Sequence, residues 1–232
     1  VPYKNGEVYE TTGDYSVKIL KSDAEGTLYI NSSYVTEGDK MSFVYEDGNK
    51  ADINTTDMYG FLTGGTKNRE VKWAAGAVAD ADGVDEIANT VKKIKGRGNS
   101  TWNLAKKPFN ITYDTKISVD GMSGKKWSLL ANAQDPSLLR NRLVYDLANE
   151  VNMTYACDSR FVDWFVNGRY KGSYQLTQKI EMGKNTVMPD LEEPEVEDVV
   201  EDDGTITPYP KADFDFILEL DTKENADSSG DL

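Results

Sequence analysis

The side chains best suited to chemistry lie between residues 95 and 187. Cations, amides and small turn residues group there around Trp102 and Trp127. Arg97 stands between two glycines, which let the backbone approach a ligand while the guanidinium projects toward it. A soluble core does not need such a set, whereas a site that grips a polyanion does. The sequence therefore predicts an anion-binding site in this stretch.

The chain contains no histidine. This absence excludes Ser-His-Asp and Cys-His catalysis, histidine zinc sites and a histidine general base. The chemistry that remains uses carboxylates, lysine, arginine, tyrosine or a hard metal ion with oxygen ligands. Such ligands suit Mg²⁺ and phosphoryl transfer.

The net charge of −14 argues against a nucleic acid polymer as a partner, because binding to its phosphates requires a positive surface. A local basic site for one nucleotide is compatible with this charge. The single cysteine, Cys157, excludes an internal disulfide and a cysteine metal cluster. No apolar run approaches the roughly 18 residues that a membrane span needs. We therefore expect no nucleic acid partner and no membrane span.

Alternating apolar and polar residues predict strands along most of the chain. The Asn167-Gly168 pair predicts a tight hairpin turn between two of them. One helix is predicted at 136–151, with Asp135 as its N-cap and Leu143 on an apolar face that would meet the core. The predicted strands are 15–20, 27–30, 41–45, 71–74, 90–95, 109–113, 126–130, 160–166, 170–176 and 214–220.

The segment from Asp190 to Asp203 carries nine carboxylates and no lysine or arginine. Like charges at this density repel one another and keep a segment solvated. The sequence therefore predicts a mobile acidic loop at 189–211.

The order of two blocks in the cationic stretch resembles a known family. Residues 97–102, Arg-Gly-Asn-Ser-Thr-Trp, are followed by residues 106–109, Lys-Lys-Pro-Phe. This pattern resembles the CotH (spore coat protein H-like) kinases, which are atypical protein kinases. The resemblance is dense over about 90–187 and thin over 214–221, and the first 65 residues add nothing to it.

The resemblance implies an α+β fold with a mixed or antiparallel β-sheet and one main helix, like a kinase amino-terminal lobe. We expect a small β-rich segment at 1–65 and the kinase region at 66–232. We also expect the carboxy-terminal half of the family domain, with its catalytic residues, to lie beyond this chain.

The resemblance also implies roles for individual side chains. Lys107 would pair with the phosphates of ATP, and Arg97 would clamp the same anion. The family often keeps a basic residue where this chain has Asn110 and Thr112, which leaves the identity of the phosphate lysine open. The other nucleotide-binding candidates are Arg140 and Asn141 on the helix and Glu181 in the crossing at 177–184.

Two carboxylates near the end of the chain are candidate metal ligands. Glu219 and Asp221 stand two positions apart on a predicted strand, so both would point to the same face and could hold Mg²⁺. The function implied is ATP- and Mg-dependent phosphoryl transfer to Ser or Thr of an extracellular, cell-surface or spore-coat protein in a bacterium. The alternative is a non-catalytic exported interaction or adhesion module that attaches to a scaffold or binds carbohydrate.

Overall fold

The computed structural model describes residues 3–4, 7–8, 26–32, 41–53, 55–79, 87–183, 186–191, 196–200 and 205–210. The chain divides into two compact units. The first unit is formed by residues 1–180 and 185–187, and the second by residues 181–184 and 188–232.

The first unit is built mainly from strands. Two α-helices, α1 (Met58–Thr63) and α2 (Arg140–Glu150), and a 3₁₀ turn at Ser100–Asn103 accompany them in the described residues. The strands are β1 (Tyr3–Lys4), β2 (Glu7–Val8), β3 (Gly26–Asn31), β4 (Ser42–Val44), β5 (Lys50–Ala51), β6 (Glu70–Ala79), β7 (Ile87–Gly96), β8 (Phe109–Val119), β9 (Met122–Leu130), β10 (Ser159–Val166) and β11 (Arg169–Gln178).

Seven of these strands close into a barrel. They run in the order β3-β10-β11-β9-β8-β7-β6, and β3 pairs with β6 to complete the ring. The pairing of β3 with β10 is parallel and aligns Leu28 with Trp164, whereas the other neighbouring pairs of the ring are antiparallel. Strand β4 adds to the other half of β6 and forms a hairpin with β5.

The core contains large aromatic and aliphatic side chains that the alternation of the strands directs inward. The Trp164 ring lies 5.0 Å from Phe109 and 5.3 Å from Tyr174, both in edge-on geometry. Such pairs add about 0.5–1.5 kcal/mol beyond the area they bury. The largest fully buried side chains are Trp127, Trp164, Tyr113, Tyr174, Phe43, Phe109, Leu28, Ile30, Met58, Leu62, Ile94 and Ile111.

The barrel shows that the predicted fold class is wrong. The unit is not an α+β kinase-like lobe with an open mixed sheet and one main helix. Strands β3 and β4, which were expected in a separate β-rich segment, are hydrogen bonded into the same sheet. The reason is that alternation predicts which face of a strand is buried, but not which strand lies beside it.

Helix α2 begins later than predicted, and its apolar face does not meet the core. Asp135 accepts hydrogen bonds from Ser137 N at 3.1 Å and from Arg140 N at 2.8 Å, which hold residues 136–139 in a turn. Leu138 has a φ of 61°, which an α-helix does not accommodate. No residue of α2 is buried, and Leu143 is 63% exposed. The predicted core role of Leu143 is therefore wrong.

The hairpin of β10 and β11 has the predicted turn. Asn167 and Gly168 have φ values of 49° and 73°, which match the primed turns that suit twisted hairpins. Asn167 Oδ1 also accepts a hydrogen bond from Ser32 N at 2.6 Å, just beyond the end of β3. The turn therefore helps to anchor the strand that closes the barrel.

The second unit contains a hairpin of β12 (Val196–Val200) and β13 (Ile206–Pro210). These strands occupy much of the segment for which an acidic loop was predicted. Valine and isoleucine within that segment favour strands, and they compete with the repulsion among its carboxylates. The predicted strands 15–20 and 214–220 lie outside the described residues.

Candidate functional site

A pocket of about 270 Å³ opens at one end of the barrel. It lies between the loop that follows β7, the segment that follows β9 and the first residues of α2. Its polar lining residues are Arg97, Thr101, Lys106, Asn132, Gln134, Asp135, Arg140 and Asn141.

The loop after β7 is held tightly against the barrel. Trp102, in the 3₁₀ turn, is buried; it packs edge-on against Phe109 and donates its indole N–H to Gly65 O at 3.2 Å. Gly98 has a φ of 78°, and a side chain there would collide with Thr101. The loop therefore requires glycine at position 98, and it presents Arg97 to the pocket from a fixed backbone.

Arg97 is a half-buried cation. Within the described part of the chain, no carboxylate forms an ion pair with its guanidinium. Burial lowers the pKa of Arg97, and the neighbouring Tyr145 opposes that change. A guanidinium that has lost part of its water and gained no carboxylate is best stabilised by an anion entering the pocket.

Lys106 is the lysine that lines the pocket. Its ammonium donates to Ser173 O and lies 4.5 Å from the centre of the Tyr174 ring. Burial lowers the pKa of Lys106. Lysine and arginine at one pocket can bind the oxygens of a phosphate chain together.

Lys107, the predicted phosphate lysine, does not line this pocket. Its ammonium donates to Trp102 O and lies 4.7 Å from the centre of the Trp102 ring, beside a second cavity. The two lysines are neighbours in the connection between the 3₁₀ turn and β8, yet they line different cavities. The Lys-Lys-Pro-Phe motif contains both lysines, and nothing in the sequence indicates that Lys106 would line the pocket.

A chain of amide hydrogen bonds connects the pocket to the barrel wall. Asn141 Nδ2 donates to Asn132 Oδ1 at 2.9 Å, and Asn132 Nδ2 donates to Gln175 Oε1 at 2.8 Å. Gln175 is fully buried in β11, and its Nε2 donates to Ser159 Oγ at 2.7 Å. Asn132 also donates to Leu138 O at 3.0 Å. We refer to Asn141, Asn132, Gln175 and Ser159 as the amide relay.

Sequence reasoning singled out Asn141 and missed the importance of Asn132 and Gln175. Asn132 stands two residues after β9 with a φ of 48°, a conformation that asparagine tolerates better than most residues. That position after an apolar run was the available signal for Asn132. Gln175 gave none, because a polar residue in a strand is expected to face solvent.

Arg140 and Asn141 occupy the first turn of α2, so the positive end of the helix dipole borders the pocket. Arg140 is largely exposed, and its Nε lies 3.5 Å from Asp135 Oδ1. Hydrogen bonds from Arg140 N and then from Ser137 lower the pKa of Asp135. The pocket thus has three cations, Arg97, Lys106 and Arg140, against one carboxylate, although the whole chain is acidic.

The remaining predicted site residues are not in this pocket's lining. Glu181 belongs to the second unit, where its carbonyl oxygen accepts from Met188 N at 3.2 Å, and its role stays a prediction. Glu219 and Asp221 lie outside the described residues. Among the residues that are described, no group of three or more His, Cys, Asp or Glu side chains could hold a metal ion.

No helix in the described part of the chain is long and apolar enough to cross a membrane.

In a comparison with models of protein families, residues 94–230 match the model of the CotH kinase protein family. The chain belongs to the CotH kinase family. The match begins just before the loop of Arg97 and includes every polar residue of the pocket. The family match confirms the resemblance seen in the sequence. A comparison with curated proteins finds no match.

Proposed function

We propose that this CotH family member binds the phosphates of ATP in the pocket of Arg97, Lys106 and Arg140. It would transfer the terminal phosphoryl group, with Mg²⁺, to a Ser or Thr hydroxyl of an extracellular, cell-surface or spore-coat protein. The observation that carries the proposal is the half-buried guanidinium of Arg97, with which no carboxylate of the described residues forms an ion pair.

The pocket's residues fit a phosphate chain. Arg97 offers a planar fork of N–H donors, and Lys106 offers a compact ammonium on the same wall. The first turn of α2 adds the positive end of a helix dipole, and the amide of Asn141 is held in place by Asn132. In phosphoryl transfer most catalysis comes from positioning and from stabilising charge on phosphate oxygens, which are the tasks these groups can perform.

The same pocket does not by itself fit Mg²⁺. Asp135 is its only carboxylate among the lining residues, and both its oxygens already accept hydrogen bonds, from Ser137 and from Arg140. A metal ion would need carboxylates from elsewhere, and Glu219 and Asp221 remain the sequence candidates. The mechanism of this chain's own pocket is therefore restricted to binding and orienting the phosphates.

Calorimetry with Mg-ATP tests the proposal. We expect Arg97→Ala and Lys106→Ala each to weaken binding by about 1.5–3 kcal/mol, the usual scale for a hydrogen bond to a charged group. Arg97→Lys should restore only part of the loss, because a point charge lacks the planar fork. The melting temperature of each variant, measured beside the parent, separates lost binding from lost folding.

Lys107→Ala is the matched control, because it removes the same charge one residue away on the other side of the loop. We expect it to leave Mg-ATP affinity nearly unchanged. A loss confined to Lys107→Ala would move the phosphate site out of this pocket. Absence of Mg-ATP binding by the parent would instead favour an exported interaction module.

A further inference from the structure

A second cavity, of about 670 Å³, lies on the other side of the loop after β7. Its lining includes Trp102 and seven polar side chains: Glu46, Thr66, Lys67, Asn68, Asn99, Asn103 and Lys107. We call Trp102, Lys67, Asn68, Asn99, Asn103 and Lys107 the Trp102 groove. The loop that carries Arg97 into the phosphate pocket also carries Asn99 and Trp102 into this groove.

The Trp102 groove is positively charged. Lys67 Nζ donates to Asn99 Oδ1 at 2.6 Å, and Lys107 Nζ donates to Trp102 O, so both partners are neutral oxygens. In the described part of the chain neither ammonium forms an ion pair with a carboxylate. Two cations without a carboxylate partner among the described residues therefore line one cavity, although the chain has a net charge of −14.

The one carboxylate at the rim is already balanced. Glu46 accepts from Thr66 N at 2.8 Å and from Arg69 Nε at 3.0 Å. Hydrogen bonds from backbone N–H groups, its own first and then that of Thr66, lower the pKa of Glu46 to about 2. Glu46 therefore stays ionised and paired with Arg69, and it does not neutralise Lys67 or Lys107.

The asparagines and the tryptophan of the Trp102 groove indicate which class of anionic ligand would bind there. Asn68, Asn99 and Asn103 are exposed amides, which can pair with both the N–H and the C=O groups of a peptide backbone. Trp102 is only 8% exposed and has Lys107 against its ring, so it offers no free face on which a base or a sugar could stack. The cavity is also much larger than one phosphate group.

We propose that the Trp102 groove is a docking site for an extended acidic peptide segment of a partner protein. Its asparagine amides would bond the peptide backbone, and Lys67 and Lys107 would pair with glutamate or aspartate side chains. The proposal does not depend on ATP binding in the neighbouring pocket. Because both sites share one loop, docking here would bring the partner beside the phosphate pocket.

Fluorescence anisotropy with a labelled peptide of alternating glutamate and serine tests the docking site, in the absence of nucleotide. We expect saturable binding that weakens as salt is added and that is absent for a glutamine–serine peptide of the same length. Lys67→Glu and Lys107→Glu should each weaken binding by at least about tenfold, because each places like charge against the peptide.

Lys125→Glu provides the matched control, since it makes the same charge change at an exposed position of β9 away from the groove. Equal weakening by Lys125→Glu would show attraction to the whole protein and would overturn the docking site. So would failure of the parent to bind the glutamate–serine peptide. The affinity of Lys67→Glu for Mg-ATP should equal that of the parent. This measurement therefore distinguishes a failure of the docking site from a failure of the phosphate pocket.

Nuclear magnetic resonance of the parent protein gives a test without any variant. The chain has four tryptophans, and the indole N–H of Trp102 is bonded to Gly65 O at the groove. Titration with the glutamate–serine peptide should shift the Trp102 indole signal more than those of the other three. A titration that binds but leaves the Trp102 signal in place would overturn the assignment.

Discussion

The barrel buries apolar side chains, whereas no residue of helix α2 is buried. The barrel encloses aromatic and aliphatic residues such as Trp164 and Leu28, which are fully buried. Helix α2 leaves its leucines in solvent, with Leu143 63% and Leu147 58% exposed. Its half-buried residues are Arg142, Tyr145 and Ala148.

Polar contacts hold α2 in place. Arg142 Nη1 donates to Ser159 O at the start of β10, and Asn149 Nδ2 donates to Cys157 O at 3.0 Å. Asn141 connects the first turn of α2 to the amide relay. Each such bond contributes only about 0.5–1.5 kcal/mol net, or about 1.5–3 kcal/mol where one partner is charged. The barrel therefore sets the stability of the unit, whereas hydrogen bonds set the geometry of the pocket.

The largest effect should come from the barrel. We expect Trp164→Ala to lower the free energy of unfolding by about 3–5 kcal/mol, because it removes the ring between Phe109 and Tyr174. Urea denaturation followed by circular dichroism measures it. Trp164→Phe is the control: it keeps an aromatic ring and removes an indole N–H that has no partner among the described residues, so its loss should be smaller. A loss below about 1 kcal/mol for Trp164→Ala would mean that the barrel core does not dominate stability.

An intermediate effect should come from the amide relay. Gln175→Leu leaves Asn132 and Ser159 without their buried partner, and we expect unfolding to become easier by about 1–3 kcal/mol. Mg-ATP affinity should fall as well, because Asn132 no longer fixes Asn141 at the pocket. Calorimetry and urea denaturation on the same sample give both values.

Ser128→Ala is the control for the relay, because it removes another side-chain hydrogen bond, the part-buried one to Asn110 Oδ1 at 3.2 Å. It should lower stability slightly and leave Mg-ATP affinity unchanged. If Gln175→Leu lowered stability alone, the relay would be a structural feature of the barrel with no role in the pocket.

The smallest effect should come from the apolar face of α2. We expect Leu143→Ala to change the free energy of unfolding by no more than about 0.5 kcal/mol, since the side chain is mostly in solvent. Leu129→Ala, at a fully buried position of β9, should lower it by about 2–5 kcal/mol. Thermal melts of the two variants compare them directly. A loss of about 2 kcal/mol for Leu143→Ala would show that its face is covered in solution.

The sequence predicted the barrel's strands better than their arrangement. Alternation located β3, β6 and β10, and the Asn167-Gly168 pair located a turn, because both signals are local. Closure of the ring depends on pairing between distant segments, which alternation does not encode. The amphipathic pattern of α2 likewise shows that one face is apolar, but not whether that face is covered; in the structure its leucines are exposed.

The candidate site was predicted in part for a similar reason. Arg97, Arg140 and Asn141 belong to motifs, and the structure brings them to one pocket. Lys106 could not be separated from Lys107, because the cavity that each lysine lines depends on the backbone of one short connection. Gln175 could be identified only from the structure, in which its Oε1 accepts a hydrogen bond from Asn132.

Closure of the barrel by β3 has a consequence for how the protein is made. Strand β3 ends at Asn31, but its parallel partner β10 begins only at Ser159, so the nascent chain must be extended by most of its length before the ring can close. Until then β3 has an unpaired edge, and such edges invite association between chains. Pairing across so long a sequence separation is slow. Refolding of the denatured protein should therefore be slow, and its yield should fall as the protein concentration rises.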